Sequence, residues 1–279
     1  MVLLVTGAKG MLGHRVVTAA SERGHDVTGI DLPELDLTDA QAVFDFMGER
    51  QPDAVIHCAA YTDVDGAEAQ EDIALRVNME AAGNVAAAAG LNGAFVVAVS
   101  TDYVFAGDGD RPYVESDEPA PKGAYGRTKL LGEYAVQDIG TECAIVRTAW
   151  LFGAGGKNFV DTMLALTAER DEVRVVGDQV GCPTWTGYLA PALVEIAERR
   201  AEGIHHLAGG GRCSWSELAT EVFRVAGAEC AVVPVTSEEF PRPAPRPAWS
   251  VLGSERDGAL TLPPWAEHVA AYLRERGSA

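Results

Sequence analysis

Tyr125 and Lys129 stand four residues apart in the stretch Tyr125-Gly-Arg-Thr-Lys129, a spacing that puts both side chains on one face of a helix. A free phenol titrates at about pH 10, too high for proton exchange near neutrality, and a neighbouring ammonium lowers that value by favouring the phenolate. Such a pair can serve as an acid toward a substrate oxygen. The spacing alone is common on helix surfaces, so its meaning depends on what accompanies it.

The chain opens with an apolar run, Met1 to Thr6, followed by Gly7-Ala-Lys-Gly-Met-Leu-Gly13 and an amphipathic stretch from His14 to Arg23. That order predicts strand, glycine turn and helix. Gly7, Gly10 and Gly13 let the backbone turn sharply and approach a pyrophosphate lying at the positive N-terminus of the helix. The spacing is G-x-x-G-x-x-G, not the dehydrogenase G-x-G-x-x-G, and points to a different branch of the dinucleotide-binding folds. A second strand, Asp26 to Ile30, leads to Asp31, where a carboxylate would bond an adenosine ribose. Asp31 favours NAD, whereas Lys9 inside the turn offers a cation to the 2′-phosphate of NADP. The cofactor is therefore NADPH or NADH, and the sequence does not choose between them.

Strand and helix keep alternating. Ala54 to Cys58 and Ala94 to Val99 read as buried strands, Asp72 to Ala89 as an alanine-rich helix stopped by Gly90, and Thr38-Asp-Ala-Gln41 as a capping box opening a further helix. Such alternation implies right-handed crossovers and an α/β fold of Rossmann type, a doubly wound parallel sheet with helices on both faces. Ligands then bind beyond the carboxyl ends of the strands, where Ala59-Ala60-Tyr61 and Ser100-Thr101-Asp102 fall. A dinucleotide-binding domain is expected over residues 1–150. A smaller, mainly substrate-binding lobe is expected over 151–279, with segments such as 173–200 returning to the first domain. In the lobe, Lys157 to Glu169 and Thr186 to Arg200 are helical by period and Val173 to Val176 is a strand. Ser214-Trp-Ser-Glu217 is a capping box opening a helix to Gly227. The four prolines of Pro241 to Pro247 stiffen that segment into a spacer.

Further stretches join the glycine turn and the Tyr-Lys pair: Cys58-Ala-Ala-Tyr-Thr-Asp-Val-Asp65, Ser100-Thr-Asp-Tyr-Val-Phe105, Val146-Arg-Thr-Ala-Trp150, Gly181-Cys-Pro-Thr184 and the proline-rich Arg242 to Ser250. Together and in order, over nearly the whole length, they resemble the extended short-chain dehydrogenases/reductases, and within them the dTDP-4-dehydrorhamnose reductase family. The resemblance implies NAD(P)H-dependent reduction of the 4-keto group of a dTDP-activated deoxyhexose, giving dTDP-L-rhamnose. It implies that Tyr125 donates the proton, that Lys129 holds the nicotinamide ribose and depresses the tyrosine pKa, and that Thr101 bonds the same carbonyl oxygen. Cofactor contacts by this pattern are Gly7, Lys9, Gly10, Met11, Leu12, Gly13, Asp31, Asp36, Leu37, Ala59, Ala60 and Tyr61, with Tyr125 and Lys129. Substrate contacts are Thr101, Asp102 and Trp150, and the proline-rich segment becomes a loop over the nucleotide. Trp150 also fits a core aromatic after a strand at Ala144 to Val146.

Two positions depart from the family pattern: Cys58 stands where asparagine is frequent, and Asp63 where alanine is usual. Some relatives hold a metal at a dimer contact through an acid two residues after the last glycine; here that residue is Arg15, so no metal is expected. Sugar-nucleotide dehydratases and epimerases share the scaffold, but a dehydratase of this kind carries glutamate directly after Thr-Asp, where this chain has Tyr103. A different class of answer is a non-catalytic binding subunit resembling the regulatory partner of methionine adenosyltransferase. Intact Thr101, Tyr125 and Lys129 favour the enzyme.

The 279 residues include 41 acidic and 22 basic side chains, a formal charge of −19. Lysine occurs only as Lys9, Lys122, Lys129 and Lys157. Such a surface argues against nucleic acid as a partner. Self-repulsion of this size destabilises a compact state in dilute salt and fades as the Debye length shrinks to about 3 Å near 1 M. A salt-rich cytoplasm and an ordinary acidic cytosolic chain from a GC-rich genome both fit. Cys58, Cys143, Cys182, Cys213 and Cys230 follow no C-x-x-C spacing and read as free thiols in a reducing compartment. Neither a leader at the start nor an unbroken run of about eighteen apolar residues is evident. The expectation is a cytoplasmic protein without membrane contact, a monomer or homodimer. Asp108-Gly-Asp110 with Glu115 departs from the calcium-loop pattern and reads as a solvated loop, and His205-His206 as a strand end.

Overall fold

Runs such as Leu3-Leu4-Val5, Ala54-Val-Ile56 and Phe95-Val-Val-Ala98 are buried at every position, so neither face of these strands can meet water. A parallel sheet covered by helices on both sides is the arrangement that satisfies them. The computed structural model describes residues 1–278 and has this architecture. Strands β1 (Val2–Thr6), β2 (Asp26–Ile30), β3 (Ala54–His57), β4 (Phe95–Thr101), β5 (Cys143–Thr148) and β6 (Gly203–His206) pair in parallel in the order β6-β5-β4-β3-β1-β2. The principal helices between them are α1 (Gly13–Glu22), α2 (Ala40–Arg50), α3 (Ala81–Leu91), α4 (Ala124–Asp138) and α5 (Thr186–Arg199).

Successive side chains on a strand point to opposite faces, and the core divides accordingly. Leu3, Val5, Ile56, Phe95, Val97 and Val146 cluster with residues of α1 and α5, while Leu4, Val55, Val96, Ala98 and Ile145 cluster with α2 and α3. The chain leaves β1 to one side for β2 and crosses to the other for β3, so a crevice opens at the carboxyl ends of β1 and β3.

Two local expectations are corrected. The helix expected from Asp72 to Ala89 is broken into Glu71–Leu75, a π-helical turn Arg76–Glu80, and α3, which runs through Gly90 to Leu91. The wider turn carries Asn78 into the interior, where its carbonyl accepts from Tyr61 N (2.9 Å) and its amide donates to Thr128 Oγ1 (3.0 Å). Alanine-rich periodicity holds no signal for such an insertion. The cap of α2 is Asp39, accepting from Ala42 N (3.1 Å), because the Thr38 hydroxyl is taken by Asp36 (2.8 Å). Strand Glu172–Val176 pairs with Ala231–Val235, whereas α5 packs against the sheet core and β6 joins the sheet.

The lobe has its own core, including Phe152, Val160, Met163, Val173, Leu218, Val222, Phe223, Val269 and Tyr272. Helices Phe159–Leu166, Trp215–Ala226 and Trp265–Ser278 surround it. The second of these opens on a full capping box between Ser214 and Glu217, as the sequence implies. Among the described residues no helix is long and apolar enough to cross a membrane. Asp108 pairs with Lys122 and Glu115 accepts from Ser254 and Glu255, while both histidines of β6 bond to backbone carbonyls.

Candidate active site

A cavity of about 770 Å³ lies at the carboxyl ends of the central strands, within the range of small-molecule sites. One end is built by the glycine turn. Gly7 adopts φ +66°, and a methyl on it would fall 2.6 Å from Ala59 N; one on Gly13 would fall 2.0 Å from Gly7 O. Only residues without Cβ let the turn press against the chain leaving β3 and against its own return into α1. Gly10, Met11 and Leu12 line the cavity here, with Asp31, Asp36, Leu37, Ala59 and Ala60 along the adjoining wall. The Asp31 carboxylate is fixed by Lys9 N (3.0 Å) and Leu32 N (2.8 Å).

Two expected cofactor contacts are set apart from the cavity lining. The Lys9 ammonium is turned to Glu34 (2.7 Å) and Leu32 O (3.0 Å), an acid close behind Asp31 competing for the cation. Tyr61 packs on Ala67, Ala74 and Ala124, its hydroxyl facing Gln70.

The other end carries the Tyr-Lys pair and the end of β4. Tyr125 and Lys129 stand one turn apart on α4, and β4 delivers Thr101 with Asp102 directly beyond it; these four and Trp150 line the cavity together. The Thr101 hydroxyl donates to Asp102 Oδ1 (3.0 Å) and accepts from Tyr103 N (3.2 Å), and Lys129 Nζ donates to Val99 O (2.8 Å). Burial pushes the Tyr125 phenol up to about 12, opposed by its hydrogen bond with Thr101 and reinforced by the Asp102 charge. Burial also brings the Lys129 ammonium down to about 8, with Glu133 opposing. The expectation that Lys129 depresses Tyr125 is thereby corrected: loss of hydration of the phenolate dominates, and the ammonium is engaged by a carbonyl. A phenol held protonated across the neutral range is the form a proton donor needs.

Asp102 is buried, which raises its carboxyl to about 6 against the opposing Ser250 and Thr101 hydroxyls. Ser250 faces it without well-formed hydrogen-bond geometry, since both Asp102 Oδ2 and Ser250 Oγ lack a partner among the described residues.

Several site residues escaped the sequence reading. Glu133 lies one further turn along the face of Tyr125 and Lys129, and its carboxylate accepts from Arg147 Nη2 (2.7 Å), Arg147 Nε (3.0 Å) and Ser100 Oγ (2.5 Å). Ser100 and Arg147 are register partners on β4 and β5, so one carboxylate ties α4 to both strands. The repeated four-residue spacing was its available signal. Glu133 lies behind the cavity, whereas Trp215, Lys157 and Gly155-Gly156 line it; these come from later in the chain, and no motif marks them. Of the two departures from the family pattern, Cys58 lines the cavity, its thiol pushed up to about 12 by burial, while Asp63 caps Val64–Ala69 by accepting from Gly66 N (2.9 Å). Arg15 pairs with Glu275 and lies over Trp185. The proline-rich segment is pinned at Asp65 by Ala244 N (3.2 Å) and Arg246 (3.0 Å).

Comparison with known proteins agrees with this geometry. The family described as the RmlD substrate binding domain matches residues 1–277. The chain is 44% identical over 279 residues to a dTDP-4-dehydrorhamnose reductase of Streptomyces griseus, covering 98% of this chain and 91% of that one. It is 42% identical over 275 residues to a probable dTDP-4,6-dihydroxy-2-methyloxan-3-one 4-ketoreductase of Streptomyces antibioticus, covering 98% and 93%. The crystal structure of dTDP-4-dehydrorhamnose reductase from Bacillus anthracis in complex with NADP superposes with a TM-score of 0.95 at 38% identity, covering 98% of this chain and 99% of that one. The chain belongs to the RmlD family, that of the dTDP-4-dehydrorhamnose reductases.

Proposed function

We propose that this protein reduces the 4-keto group of dTDP-4-dehydro-L-rhamnose to the alcohol of dTDP-L-rhamnose, with NADPH or NADH as reductant. The observation that carries the reading is a single cavity with a glycine turn at one end and Thr101, Tyr125 and Lys129 converging at the other. A dinucleotide fits the residues present: the turn without side chains and the helix N-terminus suit a pyrophosphate, and the fixed Asp31 carboxylate suits a ribose diol. When bound, the reduced nicotinamide supplies the hydride. Tyr125 gives its proton to the carbonyl oxygen as that oxygen gains charge, so that no free alkoxide forms. Thr101 bonds the same oxygen and fixes its direction. Lys129, cationic below about pH 8, holds the nicotinamide ribose hydroxyls. Asp102, which lines the cavity beside Thr101, accepts from a sugar hydroxyl, and Trp150 forms the wall behind the ring.

The test is to supply the purified protein with dTDP-4-dehydrorhamnose and with other dTDP-4-keto sugars, following loss of the reduced-nicotinamide absorbance. Turnover selective for the first supports the reading; selective turnover of another keto sugar assigns a neighbouring ketoreductase such as the Streptomyces antibioticus relative is named for. Tight association with a methionine adenosyltransferase, with no turnover of any keto sugar, would make the chain a binding subunit. The five free thiols support a cytoplasmic setting, and we propose that the net charge of −19 suits a salt-rich one. A melting temperature that rises between about 0.1 and 3 M KCl supports the latter, and a flat profile refutes it.

A further inference from the structure

Trp150 and Trp215 lie face to face with ring centroids 3.5 Å apart and planes within 2°, in the cavity that also holds Thr101, Asp102 and Tyr125. Full overlap of two indoles is not what their quadrupoles favour, since aromatic pairs prefer offset or edge-on contact. The surroundings must therefore impose it. Trp150 stands in the left-handed region at φ +48°, a conformation a bulky residue keeps only where neighbours over-determine it. On one side its ring is seated over Gly181, where a methyl would come within 2.4 Å of Trp150 Cε2. On the other side is Trp215, which is itself fixed independently. It begins the helix capped by Ser214, its Nε1 donates to Gln179 Oε1 (3.2 Å), and Phe159 backs it with centroids 4.7 Å apart. Gln179 is held in turn by Ser237 (2.8 Å).

We propose that Trp215 is a positioning residue for sugar specificity: it clamps the Trp150 indole against Gly181 as a fixed wall, so that the sugar ring of a nucleotide-linked keto sugar is kept against Tyr125 and Thr101. The proposal rests on the ketoreductase reading. Rigidity is what the wall contributes, because a small displacement of the carbonyl from the proton donor costs rate even when binding survives. The clamp belongs to the sugar end, whereas the glycine turn and Asp31 lie at the dinucleotide end, so the two ligands should respond differently.

Wild type is measured first; binding of NADPH without turnover of any dTDP-4-keto sugar defeats the reductase reading, separately from the clamp. Given turnover, Trp215→Ala is expected to raise KM for the sugar nucleotide about tenfold and to lower kcat by a similar factor. The Kd for NADPH, followed by nicotinamide fluorescence, should stay within about twofold. Trp215→Phe should recover most of the loss, since a ring again backs Trp150. Gly181→Ala should push Trp150 from the opposite side and reproduce the sugar-selective loss. The circular-dichroism couplet of the stacked indoles should vanish in Trp215→Ala and in Trp150→Ala. The clamp is overturned if Trp215→Ala loses the couplet yet keeps wild-type KM and kcat for the sugar, or if cofactor and sugar binding weaken equally. Should Trp215→Ala not fold, Trp215→Leu and Gly181→Ala decide by the same two criteria.

Discussion

Replacing Glu133 by glutamine should destabilise the protein far more than removal of any surface charge. Glu133 and Arg147 are each only 2% exposed at the side chain. Three donors, Arg147 Nε, Arg147 Nη2 and Ser100 Oγ, converge on the two carboxylate oxygens. An amide nitrogen in place of either oxygen would meet a donor, and the guanidinium, whose Nη1 already lacks a partner among the described residues, would keep its charge without compensation. Breaking a buried pair from one side costs about 3–5 kcal/mol. At about 2–4 °C per kcal/mol for a chain of this size, the melting temperature should fall by roughly 10 °C. Urea unfolding and thermal scans measure both quantities. Adding Arg147→Met should restore most of the loss, because the guanidinium is then no longer buried without its partner and a flexible apolar chain still covers Phe105, over which the guanidinium lies at 5.0 Å. A loss below about 1 kcal/mol in Glu133→Gln, or a double variant less stable than the single one, would refute the reasoning.

Tyr125→Phe should lower kcat by about 10²–10⁴ while leaving NADPH affinity within a few-fold, since only the transferable proton is removed; residual turnover within tenfold of wild type would take Tyr125 out of the acid role. Asp31→Ala should shift the ratio of kcat/KM values toward NADPH by removing repulsion of a 2′-phosphate, and Glu34→Gln should do so too by freeing Lys9 from its partner. An unchanged ratio in Asp31→Ala would place the ribose elsewhere. Burial lowers Lys129 to about 8, so the binding contributed by its ammonium is complete below that pH and lost as pH rises through it. NADPH affinity should weaken above about pH 8 in wild type and equally in Tyr125→Phe, because the phenol titrates near 12. A limb that disappears with the tyrosine would reverse the assignment.

Local signals were legible in the sequence. The glycine turn announces itself because its steric demand falls on residues three apart, and Tyr125 with Lys129 because a helix repeats. Sheet strands β3 and β4 were found within two residues at each end because burial on both faces leaves an unbroken apolar run. What escaped depends on partners distant in sequence. Trp215 meets Trp150 only after the lobe folds back, and the direction of the Tyr125 shift depends on how deeply α4 is buried against β4. Lys9 within the glycine turn points to a cofactor phosphate, but Glu34, an acid outside the turn, takes the ammonium first. The π-helical turn at Arg76–Glu80 is likewise set by what Asn78 must reach, Tyr61 and Thr128, rather than by helix propensity.

The most direct measurement of the central claim follows the transferred hydrogen itself. Purified protein is given dTDP-4-dehydrorhamnose and reduced cofactor deuterated on the nicotinamide C4 face, and the sugar product is examined by NMR and mass spectrometry. Reduction at a carbonyl set between the cofactor and Tyr125 predicts one deuterium at sugar C4 and a solvent-derived proton on its oxygen, with Tyr125→Phe giving the same label at a much lower rate. Cofactor oxidation that leaves no deuterium in the sugar, or label at a carbon other than C4, would contradict the account.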